Sequence, residues 1–301
     1  MPYNYRIYGL EILSDFQIDD LIEGGNGKDV RIIYGQAKLS GNDIIRKGKT
    51  FEIAKNEVIF KVNDVGYFLI KNGNEIVFEK NGNAKSDEIK LYLLGIVMGI
   101  LFHQKREIII HANGININGK GILICGASGS GKSTITAGLI NKGYKFITDD
   151  LALIKFLKDM PFVIPGIPRL KLFTDSINST MVDSLKKTRI KQDIEKFNLF
   201  IPDSFYPDET RVYKIYVLNN HEKKNIELIN LSGTEKFNMI HNQFYLKFFT
   251  EIIWDREILF NKISNFADKV MVAIINHPKN WKEYYSLLDI IIKDIENSKK
   301  I

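Results

Sequence analysis

Eight consecutive residues, Gly126-Ala127-Ser128-Gly129-Ser130-Gly131-Lys132-Ser133, fit the pattern G-x-x-x-x-G-K-[ST]. Glycines at this spacing let successive backbone N–H groups turn into one concave nest, which suits a triphosphate. Lys132 is placed to reach the terminal phosphates, and the Ser133 hydroxyl to help hold Mg²⁺. The apolar run Gly121-Ile122-Leu123-Ile124-Cys125 precedes the loop, and a segment of helical character starts at Thr134. Strand, glycine loop and helix is the order this chemistry requires, because a helix N-terminus adds positive potential at the phosphates.

Phosphoryl transfer also needs a metal-holding group and a group that orients or deprotonates the attacking hydroxyl. Asp149 and Asp150 lie seventeen and eighteen residues after Lys132, at the end of the apolar strand Tyr144-Lys145-Phe146-Ile147-Thr148. In a parallel sheet the carboxyl ends of neighbouring strands open onto one crevice, so loop and acids are expected to meet there. One carboxylate would hold Mg²⁺ and the other accept the hydroxyl proton. Two acids are useful because a metal-bound carboxylate is a poor base. His111 ends another strand just upstream; it fits either a structural role or contact with the acids or a phosphate. Arg169, Lys171, Arg189, Lys196 and Arg211 are basic residues able to neutralise transition-state charge. Arg169, behind the turn Pro165-Gly166-Ile167-Pro168, is the one singled out; Arg189, Lys196 and Arg211 read more simply as a solvated face.

The elements that must position these groups fall into two parts. Residues 1–84 are β-rich, with Lys71-Asn72-Gly73-Asn74 between two apolar runs as a hairpin signal. Ser86 is the expected N-cap of a helix over 86–104, and Gly95 and Gly99 would permit close packing. From Arg106 the pattern becomes alternating strands and helices. Strands are expected at 107–111, 121–125, 144–148, 212–218 and 270–275, and a strand with its turn at 113–119. Helices are expected at 180–198, 237–260 and 281–297. The predicted domains are therefore 1–84, β-rich, and 85–301, catalytic.

Bulk composition narrows the function. The chain of 301 residues carries a formal net charge of +6, but its lysines are dispersed and no nucleic-acid motif accompanies them. The single cysteine, Cys125, excludes an intrachain disulfide and reads as a buried inert thiol. The N-terminus lacks a signal-peptide hydrophobic region, and the longest apolar stretch, Leu91 to Phe102, is too short to span a bilayer. A cytoplasmic protein without nucleic-acid or membrane partners is expected.

These residues resemble the HPr kinase/phosphorylase family. The resemblance rests on His111-Ala112-Asn113-Gly114, on the glycine loop, and on Gly143-Tyr144-Lys145-Phe146-Ile147-Thr148-Asp149-Asp150. It implies an α/β fold: a P-loop kinase core of the HPr kinase C-terminal type with an N-terminal β-rich domain. It implies ATP and Mg²⁺ as cofactors and a protein serine as acceptor. Carried over, Asp150 resembles the base, Asp149 its acidic partner near Mg²⁺, and His111 their neighbour, with Ser128 and Lys132 on the phosphates. The whole-chain layout is similar to a branch encoded with ribosomally made peptides, some of whose members phosphorylate the C-terminal serine of lasso-peptide precursors. Tyr5-Arg6-Ile7-Tyr8-Gly9-Leu10, Leu93-Leu94-Gly95 and Pro165 to Leu172 carry that likeness. The chain departs from HPr kinases proper in having Thr134 where they carry Glu, and in lacking their Arg-Gly-rich capture loop. HPr as acceptor and the reverse phosphorylase reaction are therefore not implied.

The leading expectation is an ATP/Mg²⁺-dependent kinase acting on a serine of a peptide or small protein, with a homo-oligomer compatible with the apolar C-terminal helix. A small-molecule hydroxyl kinase and a nucleotide-binding regulatory module without turnover would use the same phosphate loop.

Overall fold

The computed structural model describes residues 2–41, 43–82, 84–174, 177, 186–191, 194–223, 225–278 and 284–297. The chain forms two compact units, Met1–Ile109 with Phe244–Lys262, and Ile110–Gln243 with Ile263–Ile301.

The first unit holds a nine-stranded mixed sheet that starts at its N-terminal strands and ends at the exposed strand Ile44–Lys47. The expected hairpin is present. Asn72 and Gly73 both have positive φ, 52° and 68°, and Asn74 N–H closes the turn onto Lys71 C=O at 3.0 Å. Two consecutive left-handed residues match the right-handed twist of the flanking strands. The expected helix is present in three pieces, Ser86–Tyr92, a π-helical turn Leu93–Val97, and Met98–Gln104. Its cap position is Lys85 rather than Ser86: the Glu88 carboxylate reaches back to the Lys85 N–H at 3.0 Å. Gly99 serves the close packing expected of it, since a Cβ there would lie 2.7 Å from the Tyr245 ring. This helix lies in the β-rich unit, where the sequence grouped it with the catalytic part.

The second unit is a mixed α/β body around a second nine-stranded sheet. Lys120–Gly126, Thr210–His221 and Met271–Pro278 run parallel at its centre, and Glu227–Leu231 closes one side antiparallel. Ile115, Ile122, Ile124, Tyr216, Leu218 and Ile275 build its core with Ile135 and Leu139 of helix Lys132–Asn141 and Leu288 and Ile291 of helix Tyr284–Asn297. Beta-branched residues on strands buried on both faces read as continuous apolar runs, which is why these elements were legible.

Four expectations change. The acid-bearing strand Lys145–Thr148 is not next to Lys120–Gly126; Ala112–Ile117 lies between them, antiparallel to both. Regular alternation of strands and helices stops after Thr148, where Ala152–Leu157, Met160–Val163 and Arg169–Phe173 follow without a helix. The expected helix at 180–198 is, where described, a hairpin of Lys186–Lys191 and Ile194–Phe200 paired to Arg169–Phe173; its remainder lies outside the described residues. Alternate apolar residues such as Phe197 and Leu199 fit the two-residue period of a strand better than a helix. The span expected to be helical over 237–260 is broken into Gly233–Asn242, Lys247–Ile253 and the start of Arg256–Lys269. Of the last predicted helix, Tyr284–Asn297 is observed, and 281–283 lie outside the described residues.

Candidate active site

The inserted antiparallel strand explains how three separate sequence signals come to one edge. Ala112–Ile117 begins where Lys120–Gly126 and Lys145–Thr148 end, with Ala112 opposite Cys125 and Gly114 opposite Thr148. Its first residues therefore lie beside the glycine loop on one side and beside Asp149 and Asp150 on the other. His111, the residue just before it, is fixed by its backbone N–H on the Gln243 carbonyl at 2.7 Å.

The glycine loop joins strand to helix. Gly126 has φ 142°, and a Cβ there would meet Ser130 Oγ at 2.5 Å and the Leu218 carbonyl at 2.7 Å. Gly131, φ 95°, occupies the N-cap position of helix Lys132–Asn141 in a left-handed conformation. A side chain at either position would be strained, so the pattern's two fixed glycines answer to geometry. Lys132 is buried, and its ammonium donates to the Gly126 carbonyl at 2.7 Å and the Ala127 carbonyl at 3.3 Å. Burial lowers its pKa, against the attraction of Asp150.

Ala127, Ser128, Gly129, Gly131, Lys132, Ser133 and Thr134 line one cavity of about 350 Å³. His111 and Asp150 line the same cavity. Gly126 and Ser130 do not line it, and among the described residues the buried Ser130 hydroxyl has no hydrogen-bond partner.

The acid pair is asymmetric. Asp150 adopts φ 61°, a left-handed conformation that costs a non-glycine residue on the order of 1 kcal/mol and that Asp tolerates better than most. Its N–H donates to Asn113 Oδ1 at 3.4 Å, and Leu151 N–H to the Asp149 carbonyl at 2.7 Å. Asp150 Oδ2 accepts from Lys171 Nζ at 2.8 Å, and Oδ1 lies 3.7 Å from His111 Nε2. Burial alone would raise its pKa, but Lys171, His111 and Lys196 outweigh burial and hold it well below the usual carboxylate range. Asp149 is the opposite case. Burial and the neighbouring Asp150 charge push it up to about 7. Its Oδ2 accepts the Lys171 backbone N–H at 2.9 Å, while the buried Oδ1 has no partner among the described residues.

Three site residues were underweighted in the sequence. Lys171 touches both acids. Lys196, assigned to a solvated face, lines the cavity with Phe173, and its ammonium lies 5.3 Å from the Phe173 ring. Phe173 and Lys196 are opposite each other across Arg169–Phe173 and Ile194–Phe200. The residue singled out, Arg169, is buried and does not line this cavity. Strand alternation puts 169, 171 and 173 on one face, so recognising a strand there would have offered Lys171 alongside Arg169. Arg189 lies over the Phe197 ring, 5.9 Å from its centre, and Arg211 lies in a different cleft. Cys125 is fully buried and its thiol is pushed up to about 12 by burial, as expected of an inert residue.

Asp150 and Ser133 line the cavity and Asp149, whose second oxygen is buried, does not, so few donors are offered to an Mg²⁺ ion. Among the described residues no group of three or more His, Cys, Asp or Glu is placed to hold a metal. Mg²⁺ commonly takes only one or two carboxylates and completes its shell with water and substrate phosphates. The partnerless oxygen of Asp149 is a buried acceptor that a cation would satisfy.

Residues 103–165 match the family model of the HPr Serine kinase C-terminal domain. That stretch contains His111, the whole glycine loop, Asp149 and Asp150, and ends before Lys171. The chain is 46% identical over 53 residues to the HPr kinase/phosphorylase of Lachnoclostridium phytofermentans, a match covering 18% of this chain and 17% of the relative. It is 39% identical over 61 residues to the HPr kinase/phosphorylase of Lactobacillus acidophilus, covering 20% of this chain and 19% of the relative. These matches span less than a fifth of the length of the curated relatives. A solved structure of the Hpr(Ser) kinase/phosphatase from Coxiella burnetii aligns over 64% of this chain and 99% of its own, at 14% identity and a TM-score of 0.36. Among the described residues no helix is long and apolar enough to cross a membrane.

Proposed function

We propose that this chain is an ATP- and Mg²⁺-dependent kinase that transfers a phosphoryl group to a serine hydroxyl of a peptide or small protein. The observation that carries the reading is a single cavity lined by Lys132, Asp150 and His111 together with the loop residues 127–129 and 131–134. The family match over 103–165 supports it, because that segment carries every one of those residues.

In this reading the loop amides and Lys132 hold the phosphates. Lys132 now donates to two loop carbonyls, and a phosphate oxygen would replace them as the better, charged acceptor. Ser133 and Asp149 would hold Mg²⁺, which neutralises charge on the phosphates. Asp150 faces the cavity as an anion and accepts the hydroxyl proton of the acceptor serine. With Lys171 at 2.8 Å it is a weak base. Weakness is tolerable because the transition state of phosphoryl transfer is loose, and orienting the hydroxyl matters more than strong deprotonation. His111 positions Asp150 from the side opposite Lys171. Lys196 and Lys171 offer positive charge for the transferring group, the part first given to Arg169.

The acceptor we propose to test is the C-terminal serine of a lasso-peptide precursor. The protein is incubated with ATP, Mg²⁺ and a serine-ended precursor peptide, and the products are read by mass spectrometry. Gain of one phosphoryl mass on that serine supports the reading. ATP binding without any transfer to peptides or small hydroxyl compounds would leave a regulatory nucleotide-binding module, and absence of ATP binding would remove the proposal.

A further inference from the structure

The central parallel strands have a second end. Lys120–Gly126 starts at Lys120 and finishes at the glycine loop, six residue steps or about 20 Å away. At the starting edge lies a cleft of about 630 Å³, lined by residues at the start of all three parallel strands and sharing none with the glycine-loop cavity.

The cleft has a charged rim and an apolar floor. Lys120, Arg211, Lys236 and Lys269 line it, against one acid, Asp268. Among the described residues none of these four cations makes an ion pair within 4 Å. Lys120 and Lys269 donate only to neutral carbonyls, those of Ile295 at 2.9 Å and Asp159 at 2.6 Å. Val212, Val270 and Met271 supply the floor, and the Tyr213 ring lies beneath the Lys120 ammonium at 4.3 Å from its centre. The buried Tyr213 hydroxyl has no hydrogen-bond partner among the described residues. Gly121 leaves no room for a side chain, since a Cβ would meet the Arg211 carbonyl at 2.8 Å. Burial lowers the pKa of Lys236, against the attraction of Asp268.

We infer that this cleft is a second ligand site, for a small organic phosphate whose anionic group meets Arg211 and Lys236 and whose carbon body covers the apolar floor. Uncompensated cations around a concave surface focus positive potential into it. An apolar floor with a few convergent polar groups is the usual composition of a small-molecule site. Inorganic phosphate alone would leave the floor wet, so the carbon body contributes to affinity. The site is independent of the proposed kinase reaction, because it shares no residue with the glycine-loop cavity.

The test uses the full chain carrying Lys132→Glu, which repels phosphate from the glycine loop. Phenyl phosphate is titrated by calorimetry, with inorganic phosphate as comparison. Saturable binding of phenyl phosphate, at least tenfold tighter than inorganic phosphate and at least tenfold weaker after adding Arg211→Ala and Lys236→Met, is the expected result. Absence of saturable binding overturns the inference, as does equal binding of the two probes or binding unchanged by the added substitutions. Circular dichroism melting of the substituted chain checks that it folds. Should it not fold, Lys236→Glu alone replaces the pair, with the same tenfold loss expected and an unchanged affinity overturning the site.

Discussion

Lys171 holds both members of the acid pair, its ammonium 2.8 Å from Asp150 Oδ2 and its backbone N–H 2.9 Å from Asp149 Oδ2. The two contacts differ in kind. The first is a charge–charge pair and disappears with the side chain; the second survives any substitution but proline. Changing Lys171 therefore alters the electrostatics of Asp150 while leaving Asp149 tethered.

Lys171→Met is expected to raise the Asp150 pKa, since the cation that most lowers it is gone. The acid limb of the pH–kcat profile should move up, with the basic limb in place. An arginine at 171 should restore the native limb. An unmoved acid limb would show that Lys171 does not set the charge of the group that titrates.

Asp150→Asn should lower kcat by about 10²- to 10⁴-fold, the range for loss of a general base, while ATP affinity changes little. Lys132→Met should do the reverse in binding: ATP affinity falls because the phosphates lose their buried cation. Equilibrium titration with a nucleotide analogue, run beside turnover measurements, separates the two. Unchanged turnover in the Asn variant would remove Asp150 from the chemistry.

Asp149 should make the metal-free protein less stable as pH rises. Its folded pKa, about 7, lies above the unfolded value of about 3.9. Its stabilising contribution is thus complete below about pH 4 and is lost as pH climbs through 7, where a buried carboxylate must ionise. Asp149→Asn should therefore raise the melting temperature at pH 8, leave it nearly unchanged at pH 4, and abolish stabilisation by Mg²⁺ with nucleotide. Melting curves at the two pH values, with and without Mg²⁺, decide this; equal shifts at both would show that Asp149 stays ionised throughout.

A buried polar cluster ties the last helix to the sheet. Lys214, 2% exposed, donates to Asp294 Oδ2 and Asn230 Oδ1, each at 2.8 Å, and the Tyr216 hydroxyl also donates to Asp294. Lys214→Met should cost about 1–3 kcal/mol, because it takes a charged hydrogen-bond partner from a carboxylate that is only part-buried. Adding Asp294→Leu should recover much of that loss, since the charge left behind is removed as well. Chemical denaturation of the two variants measures both; no recovery in the double variant would mean that packing, not charge, sets the cost.

Much of the site was legible in the chain itself. The glycine loop declares its chemistry locally, because its glycines answer to backbone geometry that neighbouring residues enforce. The hairpin at Asn72-Gly73, the helix from Ser86 and the apolar central strands are local too: turn conformation, first-turn acids and uninterrupted apolar runs all act over a few residues, although the cap itself fell one residue earlier, at Lys85. His111, Asp149 and Asp150 stood out by residue type at strand ends.

What the linear order concealed was adjacency. An antiparallel strand from Ala112 to Ile117 lies between the loop strand and the acid strand, and only its direction delivers His111 to the right edge. Lys171, Phe173 and Lys196 reach the site through cross-strand pairing among 169–173 and 194–200, whose register depends on partners more than twenty residues apart. The lysine-rich stretch before Phe200 passed for a helix because charge dominates its composition, and the alternating apolar face that makes it a strand is filled only when its partner is in place. Local propensity fixed the loop and the cores of the strands; long-range pairing chose which cation meets which acid, since a strand has no buried face until another strand supplies it.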